Sequence, residues 1–294
     1  MPTASVIVPT FNRAARLPGV LRALMEQDYI GEYEVLVVDD GSRDPTPSVL
    51  EEWARRHPVR LRVFRQGNAG PARARNRGAA EAAGRFLAFI DDDCVAEKSW
   101  LRLLESALEE AGAAAVGGGM VNREGTWVGR YINREHVIDH VVAPDGTIEE
   151  LITGNAGVRA DAFGRLGGFD EAIRVAGGED TDFSLRLRAA GLRIVSAPAA
   201  RVHHDSQLDV WGYLKMIYRH GRGRRRLGAR FRAYSLRMPH VRLLWLIWPV
   251  RSWIRRDYSR YRSDAVPASE ALRYVLLRYL ENIVRVAGYI RGNR

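Results

Sequence analysis

The chain has 294 residues, of which 46% are hydrophobic and 27% charged, so it can bury the core of one large domain or two smaller ones. A single cysteine, Cys94, excludes an internal disulfide and favours a reducing compartment. The formal net charge of +10 is unevenly spread, because residues 1–205 carry 25 basic and 30 acidic side chains, whereas residues 206–294 carry 20 and 5. This asymmetry predicts a basic C-terminal region with a partner of its own.

Apolar runs alternate with amphipathic segments from the N-terminus to about residue 112. Strands are predicted at 5–9, 34–38, 61–64 and 86–90, and helices at 13–28, 47–57, 72–83 and 99–111. This alternation is typical of a parallel sheet with right-handed crossovers. Residues 113–160 are less regular and are compatible with antiparallel strands.

Two acidic runs follow predicted strands. Asp39 and Asp40 come after the strand at 34–38, and residues 91–93 are three aspartates after the strand at 86–90. Ligands of open α/β sheets bind at the carboxyl ends of the strands. Two unit charges about 4 Å apart interact by roughly 4 kcal/mol at an effective dielectric near 20, so the triplet calls for a cation. Mg²⁺ or Mn²⁺ holding a phosphorylated substrate fits oxygen ligands best.

Seven motifs occur in an order and spacing that resemble family 2 glycosyltransferases with the GT-A fold. They are SVIVPTFNR (5–13), VLVVDDGS (35–42), GNAGPARARNRG (67–78), DDD (91–93), TGNAGVR (153–159), GGFD (167–170) and GEDTDFSLRLR (178–188). The resemblance covers about residues 3–205. It implies a catalytic domain at 1–205, with a nucleotide-sugar half to about 112 and an acceptor half at 113–205, followed by a basic helical region at 206–294.

The resemblance also implies a site for a nucleotide-diphosphate sugar. Asp40, the second aspartate of its pair, would accept a base N–H, and one of the pair is expected to cap the turn at Gly41. Arg75 would face the pocket or the diphosphate. Asp91 would contact the ribose or a metal-bound water. The implied donor set is Pro9, Thr10, Asn12, Asp40, Asn68, Arg75, Asp91 and Asp92.

A metal site is implied at the end of the acidic triplet. By the resemblance Asp93 binds the ion directly, and a histidine near 203–204 completes the ligand shell. His204 matches the pattern slightly better than His203, but both stay open. A carboxylate with an imidazole suits Mn²⁺ at least as well as Mg²⁺.

Asp180 is the predicted catalytic base. It follows two glycines just before a predicted helix, where the helix dipole favours a negative charge, so we expect it to be ionised near neutral pH. Asn155, Glu179 and Asp182 are expected on the acceptor side. The resemblance implies an inverting transfer, in which Asp180 deprotonates an acceptor hydroxyl and the diphosphate leaves in one displacement.

Two other functions fit parts of the chain less well. A sugar nucleotidyltransferase would need a Gly-rich, basic loop after the first strand, where VPTFN (8–12) stands. A nucleic-acid-binding protein would account for the arginines of the tail, but the tail lacks zinc, helix-turn-helix and RNP patterns, so no nucleic acid is expected.

The basic tail has features of a membrane-surface element. Its apolar run at 243–250 has eight residues, far short of the roughly 20 that span a bilayer. Residues 271–290 place Leu272, Val275, Leu276, Tyr279, Leu280, Ile283 and Ile290 on one helical face. This face fits either an anionic membrane surface or packing against the catalytic domain. Since residues 1–5 show no signal-peptide pattern, we expect a cytoplasmic protein, peripheral on the inner face of the cell membrane.

Overall fold

A mixed sheet of eight strands lies in the part of the chain that the computed structural model describes, residues 2–123, 125–173, 177–205, 208–230 and 250–291. The strands are β1 (Ala4–Thr10), β2 (Tyr33–Asp39), β3 (Leu61–Arg65), β4 (Phe86–Ile90), β5 (Cys94–Ala96), β6 (Ala115–Asn122), β7 (Asn155–Arg159) and β8 (Ile194–His204). Their order across the sheet is β3-β2-β1-β4-β7-β6-β8-β5.

The helices follow the strands along the chain. They are α1 (Leu17–Met25), α2 (Thr46–Arg56), α3 (Pro71–Glu81), α4 (Trp100–Glu110), α5 (Trp127–Arg134), α6 (Ala160–Arg165), α7 (Glu179–Ala189), α8 (Val210–Arg230), α9 (Val250–Ser263) and α10 (Ala268–Arg291). The chain divides into two compact units, Met1–Arg123 with Ile132–Ser206, and Glu124–Tyr131 with Gln207–Arg294. The sequence predicts a boundary between residues 205 and 206. It does not predict that residues 124–131 belong to the second unit.

The first four strands form the parallel part of the sheet. β1 pairs in parallel with β2 on one side and β4 on the other, and all seven residues of β1 are buried. Continuous apolar strands of this kind are buried on both faces by helices. The expected α/β class with a mostly parallel, helix-flanked sheet is therefore confirmed for this half.

Helix α1 is shorter than the sequence predicts, because a turn precedes it. The backbone N–H groups of Arg16 and Leu17 both donate to the carbonyl of Arg13, and Pro18 stands in the first helical turn. Proline is well tolerated there but cannot extend a hydrogen-bonded ladder. The apolar face of the helix is buried as predicted, through Leu17, Val20, Leu21 and Leu24.

The second half of the sheet contains antiparallel pairs, with which the sequence of residues 113–160 is compatible. β7 pairs antiparallel with β4 and with β6, whereas β6 runs parallel to β8. The short edge strand β5 pairs antiparallel with the end of β8, which brings Cys94 opposite His204. Gly157 lets β7 lie close to β4, because a Cβ at this position would lie 2.4 Å from the ring of Phe86.

The described part of the second unit consists mainly of helices around a buried polar centre. The hydroxyls of Tyr131 and Tyr213 donate to Glu281 Oε2 at 3.0 and 2.7 Å, and Arg285 pairs with the other carboxylate oxygen. Helices α8 and α10 approach closely at Gly288, where a Cβ would lie 2.3 Å from the carbonyl of Tyr218. Paired charges and small residues thus hold these two helices together.

Helix α10 presents an apolar face to solvent. Its exposed large side chains are Leu272, Leu276, Tyr279, Leu280, Ile283 and Ile290, whereas Val275 of the predicted face is buried. The apolar run predicted at 243–250 lies outside the described residues except for Val250. Among the helices that the structure describes, none combines the length and the hydropathy needed to cross a bilayer.

Candidate active site

The carboxyl ends of β1, β2 and β4 carry the predicted nucleotide-binding residues. Asp40 is buried and accepts hydrogen bonds from Gln66 Nε2 at 2.8 Å and from the backbone N–H groups of Ala69 and Gly70 at 2.9 and 2.8 Å. Its carboxylate therefore anchors the loop that leads into α3. Since two carboxylate oxygens offer about four acceptor positions, one remains for a ligand N–H. Asp39, not Asp40, caps the turn by accepting from the N–H of Ser42 at 2.9 Å.

Asn12 holds two of these loops together. Its backbone adopts a φ of +54°, its N–H donates to Ser42 Oγ at 2.8 Å, and its Oδ1 accepts from the N–H of Arg43 at 2.8 Å. Asparagine is one of the few residues that adopt this left-handed conformation at low cost. Pro9 is buried in β1, and Asn68 is exposed on the loop between β3 and α3.

The acidic triplet is held by groups from the β1–α1 connection. Thr10 Oγ1 donates to Asp92 Oδ2 at 2.7 Å, and Arg13 Nε lies 3.3 Å from Asp92 Oδ1. Arg13 Nη2 and Arg16 Nη1 lie 3.6 and 3.7 Å from Asp93 Oδ2. Neither arginine stands in the donor set predicted from sequence. Their spacing of three residues directly after a strand is the signal that could have marked them.

The neighbouring residues Asp92 and Asp93 differ in their pKa. Burial, together with the charge of Asp93, raises the pKa of Asp92 to about 7. Burial by itself would also raise the pKa of Asp93, but the hydrogen bond and charge of His204, with Arg13 and Arg16, lower it to about 2. Asp93 is thus the more acidic carboxylate of the pair, because cationic groups surround it.

His204 and Cys94 lie beside Asp93. His204 Nε2 is 3.5 Å from Asp93 Oδ1, and the ligand atoms of Asp93, Cys94 and His204 all fall within 4.8 Å of one another. His204 Nδ1 lies 3.3 Å from Asn122 Oδ1, which orients the ring. The carboxylate and the imidazole fit Mn²⁺ or Mg²⁺, whereas burial and the neighbouring aspartates raise the pKa of the Cys94 thiol and so disfavour it as a ligand.

His203 lies on the other side of β8. Its Nε2 is 3.0 Å from Glu97 Oε1, and its side chain is half exposed. Since successive side chains of a strand point to opposite faces, only one of two adjacent histidines can reach Asp93. The structure brings His204, and not His203, to the acidic triplet.

Arg75 connects the triplet with the start of α7. Its side chain is 4% exposed, with Nη2 2.6 Å from Asp91 Oδ1 and Nη1 2.9 Å from Glu179 Oε1. The other oxygen of Glu179 accepts from the backbone N–H groups of Gly177 and Gly178 at 3.0 and 3.1 Å. The guanidinium therefore lies between two carboxylates and not on an open surface.

Asp180, next to Glu179, has an unusual acidity. Burial, followed by the charge of Glu179, raises the pKa of Asp180 to about 7, although Arg75 opposes the shift. The expectation that it is ionised near neutral pH is therefore corrected to about half ionised. A helix N-terminus stabilises a carboxylate by only about 0.3–1 kcal/mol at an exposed site, which the loss of solvation outweighs here.

Two residues expected on the acceptor side lie instead in the core. Asp182 is fully buried, and its Oδ2 accepts from Arg186 Nε at 2.7 Å. Asn155 is also fully buried, with Oδ1 accepting from Trp100 Nε1 at 2.7 Å and Nδ2 donating to the carbonyls of Gly119 and Ala200, both at 2.8 Å. Both side chains have the surroundings of structural braces.

We therefore expect Asn155→Ala to lower the free energy of unfolding by about 2 kcal/mol or more, because it removes three buried hydrogen bonds. Urea denaturation followed by circular dichroism measures this loss. Asn68→Ala, at an exposed position, is the matched control and should unfold like the wild type. An unfolding midpoint for Asn155→Ala equal to that of the control would contradict the bracing role.

Comparison with protein families identifies two matches. The model described as "Glycosyl transferase family 2" matches residues 5–167, which is more than half of the chain. The model described as "N-terminal domain of galactosyltransferase" matches residues 135–209. The first match contains β1 from its second residue, all of β2 to β7 and the acidic triplet, and the second contains Asp180 and His204.

Curated relatives resemble the chain over most of its length. Glycosyltransferase AglE of Haloferax volcanii is 29% identical over 84% of this chain and 81% of its own length. The pre-mycofactocin glycosyltransferase of Mycobacterium tuberculosis is 31% identical over 73% of this chain. The aligned part is 45% of that relative's length. The O-antigen biosynthesis protein RfbC of Myxococcus xanthus is 32% identical over 70% of this chain, but the aligned part is only 17% of its length.

Solved structures show the same fold at low sequence identity. The mannosyltransferase PcManGT from Pyrobaculum calidifontis, in complex with GDP-Man and Mn²⁺, superposes with a TM-score of 0.70 at 20% identity, covering 100% of this chain and 88% of that one. TarS 1–349 of S. aureus, in complex with UDP-GlcNAc, gives a TM-score of 0.57 at 20% identity, with 97% and 89% covered. The GT-A fold expected from the motifs is thus confirmed.

Proposed function

Because the chain belongs to glycosyl transferase family 2, and is therefore an enzyme of the transferase class, we propose that it transfers a sugar from a nucleotide-diphosphate sugar to an acceptor hydroxyl with inversion. The observation that carries this proposal is the Arg75 bridge. It connects Asp91 of the acidic triplet with Glu179, the neighbour of Asp180. One buried guanidinium thus connects the donor side with the base.

The donor side is built to hold an anionic nucleotide. Asp40 keeps one acceptor position for a base N–H, and the backbone of Pro9 and Thr10 lies at the carboxyl end of β1, where the ribose would lie. Asp93 and His204 would hold a divalent ion, Mn²⁺ or Mg²⁺, because a carboxylate oxygen lies 3.5 Å from an imidazole nitrogen of a ring that Asn122 orients. When bound, such an ion supplies positive charge that neutralises the leaving diphosphate.

Asp180 would act as the general base. With a pKa of about 7 it is a stronger base than an ordinary carboxylate, and about half of it is ionised at neutral pH. It would take the proton of the acceptor hydroxyl as that oxygen forms its bond to the anomeric carbon. The bond to the diphosphate breaks in the same displacement, so no covalent enzyme intermediate is needed.

Nucleotide binding tests the donor assignment. Calorimetry with UDP and GDP in the presence of Mn²⁺ should detect binding of one of them, and EDTA should abolish or strongly weaken it. The role of Asp40 can be tested in the same assay. Asp40→Asn replaces one carboxylate oxygen, a hydrogen-bond acceptor, by an NH₂ group, so the nucleotide that the wild type prefers should bind more weakly. Absence of binding by both nucleotides with Mn²⁺ would contradict the proposal.

We propose in addition that the second unit binds an anionic membrane surface through the exposed face of α10. The support is charge complementarity: residues 206–294 of the sequence carry a net charge of +15, and α10 exposes apolar side chains that include Leu276 and Ile283. Basic residues near an acidic bilayer are attracted by about 1 kcal/mol each, and the apolar side chains would add shallow insertion.

Sedimentation with phosphatidylglycerol liposomes measures this binding. The full chain should sediment at low salt and stay in solution at high salt, because exposed charges are screened beyond about 8 Å at physiological ionic strength. Leu276→Gln/Ile283→Gln should weaken sedimentation, whereas the matched control Ile30→Gln/Val59→Gln, at exposed positions of the first unit, should not. Equal sedimentation of both variants, or dimerisation through this face without liposome binding, would contradict it.

A further inference from the structure

Two arginines in the connection between β1 and α1 lie against the acidic triplet. Arg13 reaches both Asp92 and Asp93, at 3.3 and 3.6 Å, and Arg16 reaches Asp93 at 3.7 Å. The arginine side chains are 40% and 35% exposed, whereas those of Asp92 and Asp93 are 12% and 17% exposed. The guanidinium groups therefore cover the carboxylates from the solvent side.

The two oxygens of Asp93 face different partners. Oδ1 lies 3.5 Å from His204 Nε2, and Oδ2 lies within 3.7 Å of both arginines. In this arrangement the arginines supply positive charge that a divalent ion at Asp93 and His204 would otherwise supply. An ion bound there would remove the electrostatic reason for the arginines to stay on Asp93, since it neutralises the same carboxylate.

All three contacts are long for arginine–carboxylate pairs. Strong charge-assisted hydrogen bonds of this type measure about 2.7–2.9 Å, as the buried pair of Arg75 with Glu179 does at 2.9 Å. Distances of 3.3–3.7 Å indicate weaker, more easily exchanged contacts. A guanidinium group has five N–H donors, so each arginine also has donors beyond those that face a carboxylate.

The place of these arginines suits a phosphate group. They lie between the carboxyl end of β1 and the first residue of α1, the end of an α/β sheet at which ligands bind. A helix N-terminus adds a favourable field for an anion. The planar guanidinium fork matches phosphate oxygens as well as it matches a carboxylate.

Resting on the proposed function, we propose that Arg13 and Arg16 bind the diphosphate of the donor, and that Asp92 and Asp93 hold them until a divalent ion binds. With the charge of Asp93 neutralised by such an ion, the guanidinium groups of Arg13 and Arg16 would be free to donate their N–H groups to the diphosphate. By linkage, the nucleotide and the ion each strengthen the binding of the other, and this coupling depends on the two arginines.

The test uses the full chain and two binding measurements. Mn²⁺ binding to the nucleotide-free protein is followed by electron paramagnetic resonance, and binding of UDP and GDP at saturating Mn²⁺ is followed by calorimetry. The test variant is Arg13→Gln/Arg16→Gln. The matched control is Arg22→Gln/Arg55→Gln, which removes the same charge from exposed positions on α1 and α2.

The two affinities of the test variant should move in opposite directions. Mn²⁺ should bind the free protein several-fold more tightly than in the control, because the arginines no longer compete for Asp93. The nucleotide that binds the wild type should bind at least about tenfold more weakly, the scale of losing hydrogen bonds to a charged group. Arg13→Lys/Arg16→Lys keeps the charge but not the fork, so its Mn²⁺ affinity should stay at the wild-type value and its nucleotide affinity should fall.

Three results would overturn the proposal. Unchanged nucleotide affinity in the glutamine variant would make the arginines mere counterions of the triplet, and unchanged or weaker Mn²⁺ affinity would show that they do not compete with the ion. Should the glutamine variant fail to fold, unchanged nucleotide affinity in the lysine variant would have the same consequence. If the wild type binds neither UDP nor GDP with Mn²⁺, the proposed function fails. That result is distinct from failure of the role of Arg13 and Arg16, which is judged only from the variants.

Discussion

The Asp180→Asn variant is expected to bind the donor nearly as well as the wild type and to turn it over at least about 100-fold more slowly, the usual scale for removal of a general base. Asparagine has nearly the same shape as aspartate but cannot accept the proton. Because Asp180 lies beside the Arg75 bridge and not in the donor set, the affinity for the nucleotide should change little. Donor affinity by calorimetry and turnover by release of nucleoside diphosphate should be measured on the same preparation.

The pH dependence of turnover is a second signature of the same residue. Since burial and Glu179 raise the pKa of Asp180 to about 7, turnover should fall tenfold per unit below this pH, where the base is protonated. Glu179→Gln removes the neighbouring charge and should shift this limb to lower pH. A variant Asp180→Asn that keeps most of its activity would remove Asp180 from the mechanism.

The raised pKa also has a consequence for stability. The folded protein holds the proton of Asp180 more tightly than the unfolded chain does, so ionisation destabilises the fold as pH rises from the ordinary value of 3.8 towards about 7. Asp180→Asn cannot ionise. Its melting temperature relative to the wild type should therefore be higher at pH 8 than at pH 4.

Removal of divalent ions should abolish transfer, and Mn²⁺ or Mg²⁺ should restore it. The loss should be at least about 100-fold, because a metal ion contributes several kcal/mol to the stabilisation of a developing charge. His204→Ala should weaken Mn²⁺ binding at least about tenfold, since this ring lies beside Asp93. His203→Ala is the matched control, because His203 pairs with Glu97 on the opposite face of the strand.

Activity that survives exhaustive chelation would contradict the metal assignment of the acidic triplet. If chelation abolishes transfer but both histidine variants keep the wild-type affinity for Mn²⁺, only the assignment of His204 is wrong. If His203→Ala loses more Mn²⁺ affinity than His204→Ala, then His203 and not His204 is the ligand, which would contradict the pairing of β8 with β5. The two experiments thus separate the ion from its ligand.

The parallel half of the fold is readable from the sequence because its strands are continuous apolar runs that end in polar residues. β1, β2 and β4 lie within one or two residues of the predicted 5–9, 34–38 and 86–90. Helix α1 departs further, since the turn after Arg13 delays its start. The edge strand β5 and the pairing of β7 between β4 and β6 depend on contacts distant in sequence, which no local pattern reveals.

The candidate site is readable only in part for the same reason. The motifs locate Asp93 and Asp180, but Glu179, one of the two partners of Arg75, lies 104 residues away from it, and burial by the whole fold raises the pKa of Asp180. The choice between His203 and His204 depends on which face of β8 meets the triplet. Asn155 and its surroundings show that a polar residue in a motif can be a buried brace.

The most direct test of the account is a panel of nucleotide-diphosphate sugars incubated with the enzyme and Mn²⁺, and scored for release of nucleoside diphosphate. A glycosyltransferase without its acceptor hydrolyses its own donor slowly, so one sugar nucleotide should be cleaved above background. That cleavage should stop with EDTA and fall strongly in Asp180→Asn, where water takes the place of the acceptor. No release from any sugar nucleotide, with UDP and GDP failing to bind, would contradict the proposal of donor sugar transfer.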